Sequence, residues 1–294
     1  MARPSVDVVV PFRGTQAELA ELCLCLAAIC LAEGDSLVVV DNTAGSPGDG
    51  VTRCSGIEVV HAVAVSSPGY ARNRGAERGD AEWIVFIDSD TVPGPDLLDR
   101  YFDPPPGGRT ALLAGGVLDE PVPPRGRPAA RYAHIRGLMG QDNTFRFEEW
   151  SFPQTANAAC RREAFAAAGG FREGIRAAED ADLTFRLKAA GWGIERREAA
   201  SVVHRSRQTV GGLIKQKLTH GAGGAWLSRQ YPGAFPARRR PGLLWWGART
   251  AVRGLVAAAR HRDRDRALWA LFEPLEQLSY EFGRSLRNDR VNRG

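Results

Sequence analysis

Apolar, β-branched runs alternate with stretches of helical spacing through the first third of the chain. Val6 to Phe12 (VDVVVPF), ended by Pro11, is an apolar, β-branched run that reads as a buried parallel strand. Glu18 to Ala32 follows with helical periodicity and a Gly34 stop. Ser36 to Val40 (SLVVV) predicts a second buried strand ending at Asp41-Asn42. Asn42 to Gly56, rich in Gly, Ser and Pro, predicts a loop, and Ile57 to Val60 a short strand. Ser66 or Ser67 caps a helix that runs through Arg78 with Pro68 in its first turn. Trp83 to Ile87 (WIVFI) predicts a further buried strand, and it runs directly into Asp88-Ser89-Asp90.

The second half is less regular. Asp103 to Pro128 is thick with Pro and Gly, and Thr110 to Val117 is its only strand-like piece. Gly140 to Phe152 is polar and aromatic, and Thr155 to Cys160 predicts a strand. Arg162 to Ala168 and Glu179 to Ala190 predict helices, the second stopped by Gly191. Gly193 to Val203 is strand-like, and Thr209 to Gln230 is helical with a Gly-rich interruption at Gly221 to Gly224. Strands alternating with helices at this spacing predict an α/β fold, a Rossmann-like, mostly parallel sheet flanked by helices. Ligands of such sheets bind beyond the carboxyl ends of the strands. Pro11 to Arg13, Asp41, and Asp88 to Asp90 all lie at such ends, so three strand ends converge on one crevice.

Composition narrows the class. The 294 residues include 44% apolar and 25% charged positions, those of an ordinary globular protein with a sizeable core. No run approaches the roughly 20 apolar residues that span a bilayer, and Met1 to Val10 lacks the pattern of a signal peptide. Cys23, Cys25, Cys30, Cys54 and Cys160 are odd in number, and three of them crowd one apolar helix. That argues against a disulfide framework and for a reducing, cytoplasmic setting. No paired Cys/His spacing suits zinc. From Pro232 onward, 13 Lys and Arg stand against 6 Asp and Glu, so the tail carries +7 and the body −2 of the net +5. The body shows no basic patch with interleaved aromatics, which excludes a nucleic-acid footprint there.

Four groups carry candidate chemistry. Asp88 and Asp90, one residue apart after a buried strand, can hold a divalent cation that neutralises a diphosphate; the bland alternative is a polar turn. Glu179-Asp180 opens a helix, where an acid is either a dipole-matched terminus or a general base for a hydroxyl. Arg72, beside Asn73 on the helix after Pro68-Gly69, suits a base or phosphate, or simply faces solvent. His204 ends a strand-like segment as a third metal ligand, a diphosphate donor or an ordinary histidine.

Taken in order, VVVPF (Val8 to Phe12), VVVDN (Val38 to Asn42), PGYARNRG (Pro68 to Gly75), FIDSD (Phe86 to Asp90), TANAACRREAFAAAGGF (Thr155 to Phe171) and AEDADLTFRLKAAGW (Ala178 to Trp192) resemble the family 2 glycosyltransferases of GT-A fold. The resemblance covers about Val6 to Arg205. It implies a metal-dependent, inverting transfer of a sugar from a nucleotide-sugar donor, uridine-linked in many members, to an acceptor hydroxyl. Pro11, Phe12 and Arg13 would line the nucleotide site, Asp41 would meet the base, and Arg72 would contact the nucleotide. Asp88 would touch ribose or metal, Ser89 lies between the two carboxylates, and Asp90 would bind Mn²⁺ or Mg²⁺ with His204. Asn157 would lie near the transferred sugar or acceptor, and Asp180 would be the base. The Gln-x-x-Arg-Trp motif and membrane helices of the processive members are missing: Lys215 to His220 reads KQKLTH. That implies a single transfer. The competing classes are a sugar-phosphate nucleotidyltransferase and a non-catalytic nucleotide-sugar-binding protein. The first lacks its Gly-rich loop after the first strand, and intact Asp88, Asp90 and Asp180 count against the second.

The expected organisation is a catalytic domain over 1–231, with a nucleotide part (1–102) and an acceptor part (103–231), then a basic helical extension over 232–294. In that extension Leu244, Ala248, Val252, Leu255 and Ala259 share a helical face, with Arg249, Arg253 and Arg260 on another and Trp245 and Trp246 at the start. Such a helix suits peripheral contact with the inner membrane face. The alternative is that the stripe packs on the catalytic domain or on a second subunit as a homodimer, and the weakness of Ala as a lipid anchor favours it. A second helix, Ala267 to Leu286, is expected to be interrupted at Pro274.

Overall fold

The computed structural model describes residues 3–46 and 50–289. Nine strands form one sheet: β1 (Val6–Phe12), β2 (Ser36–Asp41), β3 (Gly50–Cys54), β4 (Ile57–His61), β5 (Trp83–Ile87), β6 (Thr91–Pro93), β7 (Thr110–Asp119), β8 (Asn157–Arg161) and β9 (Gly193–His204). Among the described residues ten α-helices accompany them: α1 (Gln16–Leu26), α2 (Pro68–Ala76), α3 (Leu97–Tyr101), α4 (Pro128–Arg136), α5 (Asp142–Phe145), α6 (Arg162–Ala167), α7 (Glu179–Ala189), α8 (Val210–Gln230), α9 (Arg240–His261) and α10 (Arg264–Gly283).

The strand order is β3-β4-β2-β1-β5-β8-β7-β9-β6. Successive residues of a strand point to opposite faces, and both faces are covered. Val6, Val8, Val10, Val85 and Ile87 pack with Leu19, Leu22 and Leu26 of α1. Val9, Val38, Val40, Ile84 and Phe86 pack on the other side with Ala71, Leu183 and Leu187. Two-sided burial is the reason these strands read as unbroken apolar runs. Gly75 lets α2 lie directly on the sheet, because a Cβ there would collide with the side chain of Val9 and crowd that of Val40.

Several expectations need correction. The sheet is parallel across β4-β2-β1-β5, but β8 runs antiparallel to both β5 and β7 and β6 antiparallel to β9. An apolar run reports burial, not direction. Helix α1 stops at Leu26, so Cys30 lies outside it and is exposed. The expected loop over 42–56 contains β3, which pairs with β4; residues 47–49 of that stretch lie outside the described residues. The short β6 and α3, and α4 after the Pro-rich segment, were not anticipated.

The glycines at 221–224 do not interrupt α8. Any Cβ at Gly221 or Gly224 would run into Tyr280 of α10, and Gly283 lies equally close to Leu218. They are the surface on which α10 docks. Pro274 likewise leaves α10 continuous, and it meets Gly247 of α9. Tyr132, Leu213, Leu268 and Phe272 join α4, α8 and α10 in one small core. Beside it Lys217 pairs with Glu276 at 2.7 Å and the Tyr132 hydroxyl donates to Glu276 at 2.8 Å.

Candidate functional site

Three strand ends and one helix start open on a cavity of about 490 Å³. Its wall includes Pro11, Phe12 and Arg13 at the end of β1, Asn42 after β2, Ser67 and Pro68 at the start of α2, and Ser89 and Asp90 after β5. Arg205 and Arg207 also line it. The crevice foreseen from the strand ends is therefore present.

Asp88-Ser89-Asp90 forms a tight turn. Thr91 closes it by donating its N–H (3.1 Å) and its hydroxyl (2.8 Å) to the Asp88 carbonyl. The next residues make β6, whose Thr91 lies opposite His204, while Asp119 of β7 lies opposite His204 on the other side. This register brings His204 Nε2 within 3.5 Å of Asp90 and Nδ1 within 3.4 Å of Asp119. Burial works against charge on His204, but the two carboxylates prevail and push its pKa up to about 9. Burial raises Asp90, yet His204 and Arg207, whose Nη2 is 3.3 Å away, hold it below its ordinary value. Asp119 also accepts from Ser206 (3.0 Å) and from the Met139 N–H (3.1 Å), so its orientation is fixed.

The donors suit a hard divalent ion that keeps open positions. Among the described residues, no three His, Cys, Asp or Glu side chains form a cage. Asp90 is on the wall and the buried His204 lies behind it, and the other ligands would be phosphate and water oxygens, the usual habit of Mg²⁺. A carboxylate behind a histidine, as Asp119 stands behind His204, orients the ring toward a metal.

Asp180 sits at the first turn of α7. The preceding Ala178 adopts a left-handed backbone, φ +76°, where the chain turns into the helix. Gly223 of α8 makes room for that turn, with Ala178 Cβ 3.1 Å from where its own Cβ would stand. Burial, and then the neighbouring Glu179 charge, push the Asp180 carboxyl up to about 7. Arg72, buried, links this helix to the Asp88 turn: Nη1 donates to Glu179 at 2.7 Å and Nη2 to Asp88 at 2.6 Å.

Three expected contact residues are engaged inside the fold. Asp41 accepts from Ser46 Oγ (2.6 Å) and the Thr43 N–H (3.0 Å) and pairs with His61 (3.1 Å). Burial raises its carboxyl, but these bonds outweigh it and hold it low. Its neighbour Asn42 is the one on the cavity wall. Arg72 spends its guanidinium on the two acids. Asn157, fully buried, accepts from the Tyr101 hydroxyl (2.7 Å) and donates to the Gly116 and Ala200 carbonyls (2.9 and 2.7 Å). Sequence reasoning missed Asp119, Arg205 and Arg207. The run His204-Arg205-Ser206-Arg207 was the available signal for the two arginines, whereas Asp119 had none.

The model of Glycosyl transferase family group 2 matches residues 83–272, well over half of the chain. The pre-mycofactocin glycosyltransferase of Mycobacterium tuberculosis is 29% identical over 238 residues, covering 77% of this chain and 48% of that protein. The chain thus spans about half the length of the curated relatives it matches. A mannosyltransferase from Pyrobaculum calidifontis, solved with GDP-Man and Mn²⁺, superposes with a TM-score of 0.60 at 15% identity, over 97% of this chain and 86% of that one. A mycobacterial protein of known structure gives 0.51 at 18% identity, over 77% and 74% of the two chains. These likenesses establish the fold, GT-A. The family match starts at β5 and reaches into α10, taking in Asp88, Asp90, Asp180 and His204. The chain belongs to glycosyl transferase family group 2.

Proposed function

We propose that the chain transfers one sugar from a nucleotide-sugar to an acceptor hydroxyl, with inversion at the anomeric carbon and with Asp180 as the base. The observation that carries this reading is Asp180 itself. It is a carboxyl held up near 7 by burial and by its neighbour Glu179, and that neighbour is tied through Arg72 to the Asp88 turn. A base with a pKa near the working pH combines sufficient ionisation with useful proton affinity.

In this reading the nucleotide lies along Pro11 to Arg13, Asn42 and Ser67, within the 1–102 part, and the acceptor enters from the 103–231 part. Arg13 donates to Ser66 at 3.1 Å across the crevice, which stiffens that wall. Asp180 takes the proton of the acceptor hydroxyl as its oxygen attacks the anomeric carbon, and the bond from that carbon to the diphosphate oxygen breaks. Asp88, Asp90 and His204 are the groups that would hold Mn²⁺ or Mg²⁺, which when bound offsets the charge of the leaving diphosphate. Arg205 and Arg207 add positive charge on the same side. Arg72 acts as a positioning residue that fixes the distance between the acid pair and the turn. The family resemblance favours a UDP-sugar, while the P. calidifontis mannosyltransferase was solved with GDP-Man, so both donors belong in the test. A reducing, cytoplasmic setting is part of the proposal. It draws on five free thiols, and among the described residues no helix is long and apolar enough to cross a membrane.

A panel of nucleotide-sugars is assayed for donor hydrolysis and transfer, with Mn²⁺, with Mg²⁺ and after exhaustive chelation. Asp90→Ala should abolish metal-dependent turnover. Turnover that survives chelation would remove the metal from the proposal, and binding of every donor without hydrolysis or transfer would favour a non-catalytic binding protein.

A further inference from the structure

Helix α9 presents two different faces. At about 100° per residue, Leu243, Gly247, Gly254 and Ala258 fall on one side, and this side meets α10: Gly247 lies against Pro274 and Gly254 against Ala270. Leu244, Leu255, Ala248, Ala259, Val252, Trp245 and Val256 share a separate arc of roughly 120°, and that arc is exposed. Leu244 is 53% exposed, Trp245 64%, Val252 60% and Val256 60%. The larger apolar side chains of the helix thus point outward, and the expectation that this stripe packs on the catalytic domain is overturned.

Arg249, Arg260 and Arg253 form a strip along one edge of the arc. Arg249 lies over the Trp245 ring, 5.0 Å from its centroid. None of the three has an ion-pair partner among the described residues. Helix α9 contains no Asp or Glu at all. A large apolar arc, a tryptophan near its start and an unneutralised arginine edge together match the interface of an anionic bilayer. There the apolar arc enters the acyl boundary and the arginines stay with the headgroup phosphates.

We infer that α9 docks the protein on an anionic lipid surface, through the Leu244–Trp245–Val252–Val256 arc and the Arg249–Arg253–Arg260 edge. A second copy of the chain is a poorer occupant. Two α9 helices paired antiparallel about a twofold axis would bring their arginine strips side by side, and a parallel pair would set each strip beside the partner's helix, which offers no acid.

The full chain is sedimented with phosphatidylcholine vesicles and with vesicles containing phosphatidylglycerol. It should pellet with the anionic vesicles at low salt and be released as salt rises. Val252→Glu combined with Val256→Glu should weaken this binding by at least about tenfold, and Arg253→Gln by about fivefold. These positions are exposed, so the melting temperature and donor binding of the variants should match wild type and report correct folding. The emission contributed by Trp245, taken as the difference between wild type and Trp245→Phe, should shift to the blue on anionic vesicles. Failure to pellet with anionic vesicles at low salt would overturn the inference. So would undiminished pelleting of the double Glu variant, or a lipid-free dimer that the same variant dissociates.

Discussion

A base held close to neutrality by burial should cost the fold stability, so Asp180→Asn should make the protein more stable as it makes it inactive. The ordinary carboxyl value is 3.8 and the folded value is about 7, a difference of about three pH units. At about 1.4 kcal/mol per unit, ionised Asp180 destabilises the fold by up to about 4 kcal/mol above pH 7. The sign follows from linkage: the folded state keeps a proton that the unfolded state has released, so stability falls as pH rises from about 4 to about 7 and is then flat. Asn is neutral throughout and keeps the shape. Relative to wild type, the variant should therefore gain little near pH 4, about 1–2 kcal/mol at pH 5 and about 3–4 kcal/mol at pH 8. For a chain of this size each kcal/mol moves Tm by about 2–4 °C. The assay is thermal melting without donor or metal across that range, beside transfer kinetics that should drop by about 10² to 10⁴ in kcat. Wild-type kcat/KM should fall as pH drops below about 7, because the protonated carboxyl cannot accept the acceptor's proton. A gap in Tm that is equal at pH 5 and pH 8, or a variant less stable than wild type at pH 8, would refute the reasoning.

Three further outcomes are expected. Asp119→Asn should weaken the ion's affinity by about 10- to 100-fold, read as a higher Mn²⁺ concentration for half-maximal turnover, with donor binding in the absence of metal unchanged. Arg72→Met should cost about 3–5 kcal/mol in denaturant unfolding, because it leaves Asp88 and Glu179 unpaired beside each other; a loss below about 1 kcal/mol would show that water already serves these acids. Gly224→Val should disrupt the docking of α10, lowering Tm by several degrees or yielding insoluble protein, whereas Gly211→Ala on the same helix, where a Cβ meets nothing, should be neutral within about 0.5 kcal/mol.

The fold was legible wherever a strand is buried on both faces. Val6 to Phe12 and Trp83 to Ile87 have no polar alternation to confuse them, and the chemistry follows directly from where they end. Strands of mixed exposure were harder. The residues of β3 are mostly exposed, so their only signal was a Gly- and Ser-rich surrounding, which reads as a loop. Strand β6 has three residues and exists because Asp88 to Asp90 turns the chain onto the edge of β9, a tertiary cause with no periodicity of its own.

The candidate site divides along the same line. Asp88, Asp90, Asp180 and His204 were visible because each stands at the end or start of an element, where ligands of such sheets bind, and because the motif order pointed to them. Their partners were not. Asp119 matters only through its register with His204, which a parallel pairing of β7 and β9 decides. The resemblance put Arg72 and Asp41 at the nucleotide, and the groups that could touch it also make good internal ties: one spans two acids, the other anchors the loop after β2. Residue type indicates the bonds a side chain can make, and only the packing decides which of them it does make.

Helix α9 shows the same limit from the other direction. The residues of its larger apolar stripe were identified, and of the alternatives left open for it the structure removes packing on the catalytic domain. Ranking faces by side-chain size directs the larger one inward, as burial energy alone would. Here the inward face is built of Gly247, Gly254 and Ala258, because small residues let α10 approach closely enough for Pro274 and Ala270 to touch the helix. Close backbone approach across a small-residue face substitutes for bulk, and it leaves Leu244, Trp245, Val252 and Val256 outside. A soluble helix could have carried Lys and Glu at those four positions without disturbing any contact with α10. That freedom is what the inferred anionic lipid surface would account for: the arc would enter it, and the neighbouring arginines, without an acid on the helix to answer them, would meet its phosphates.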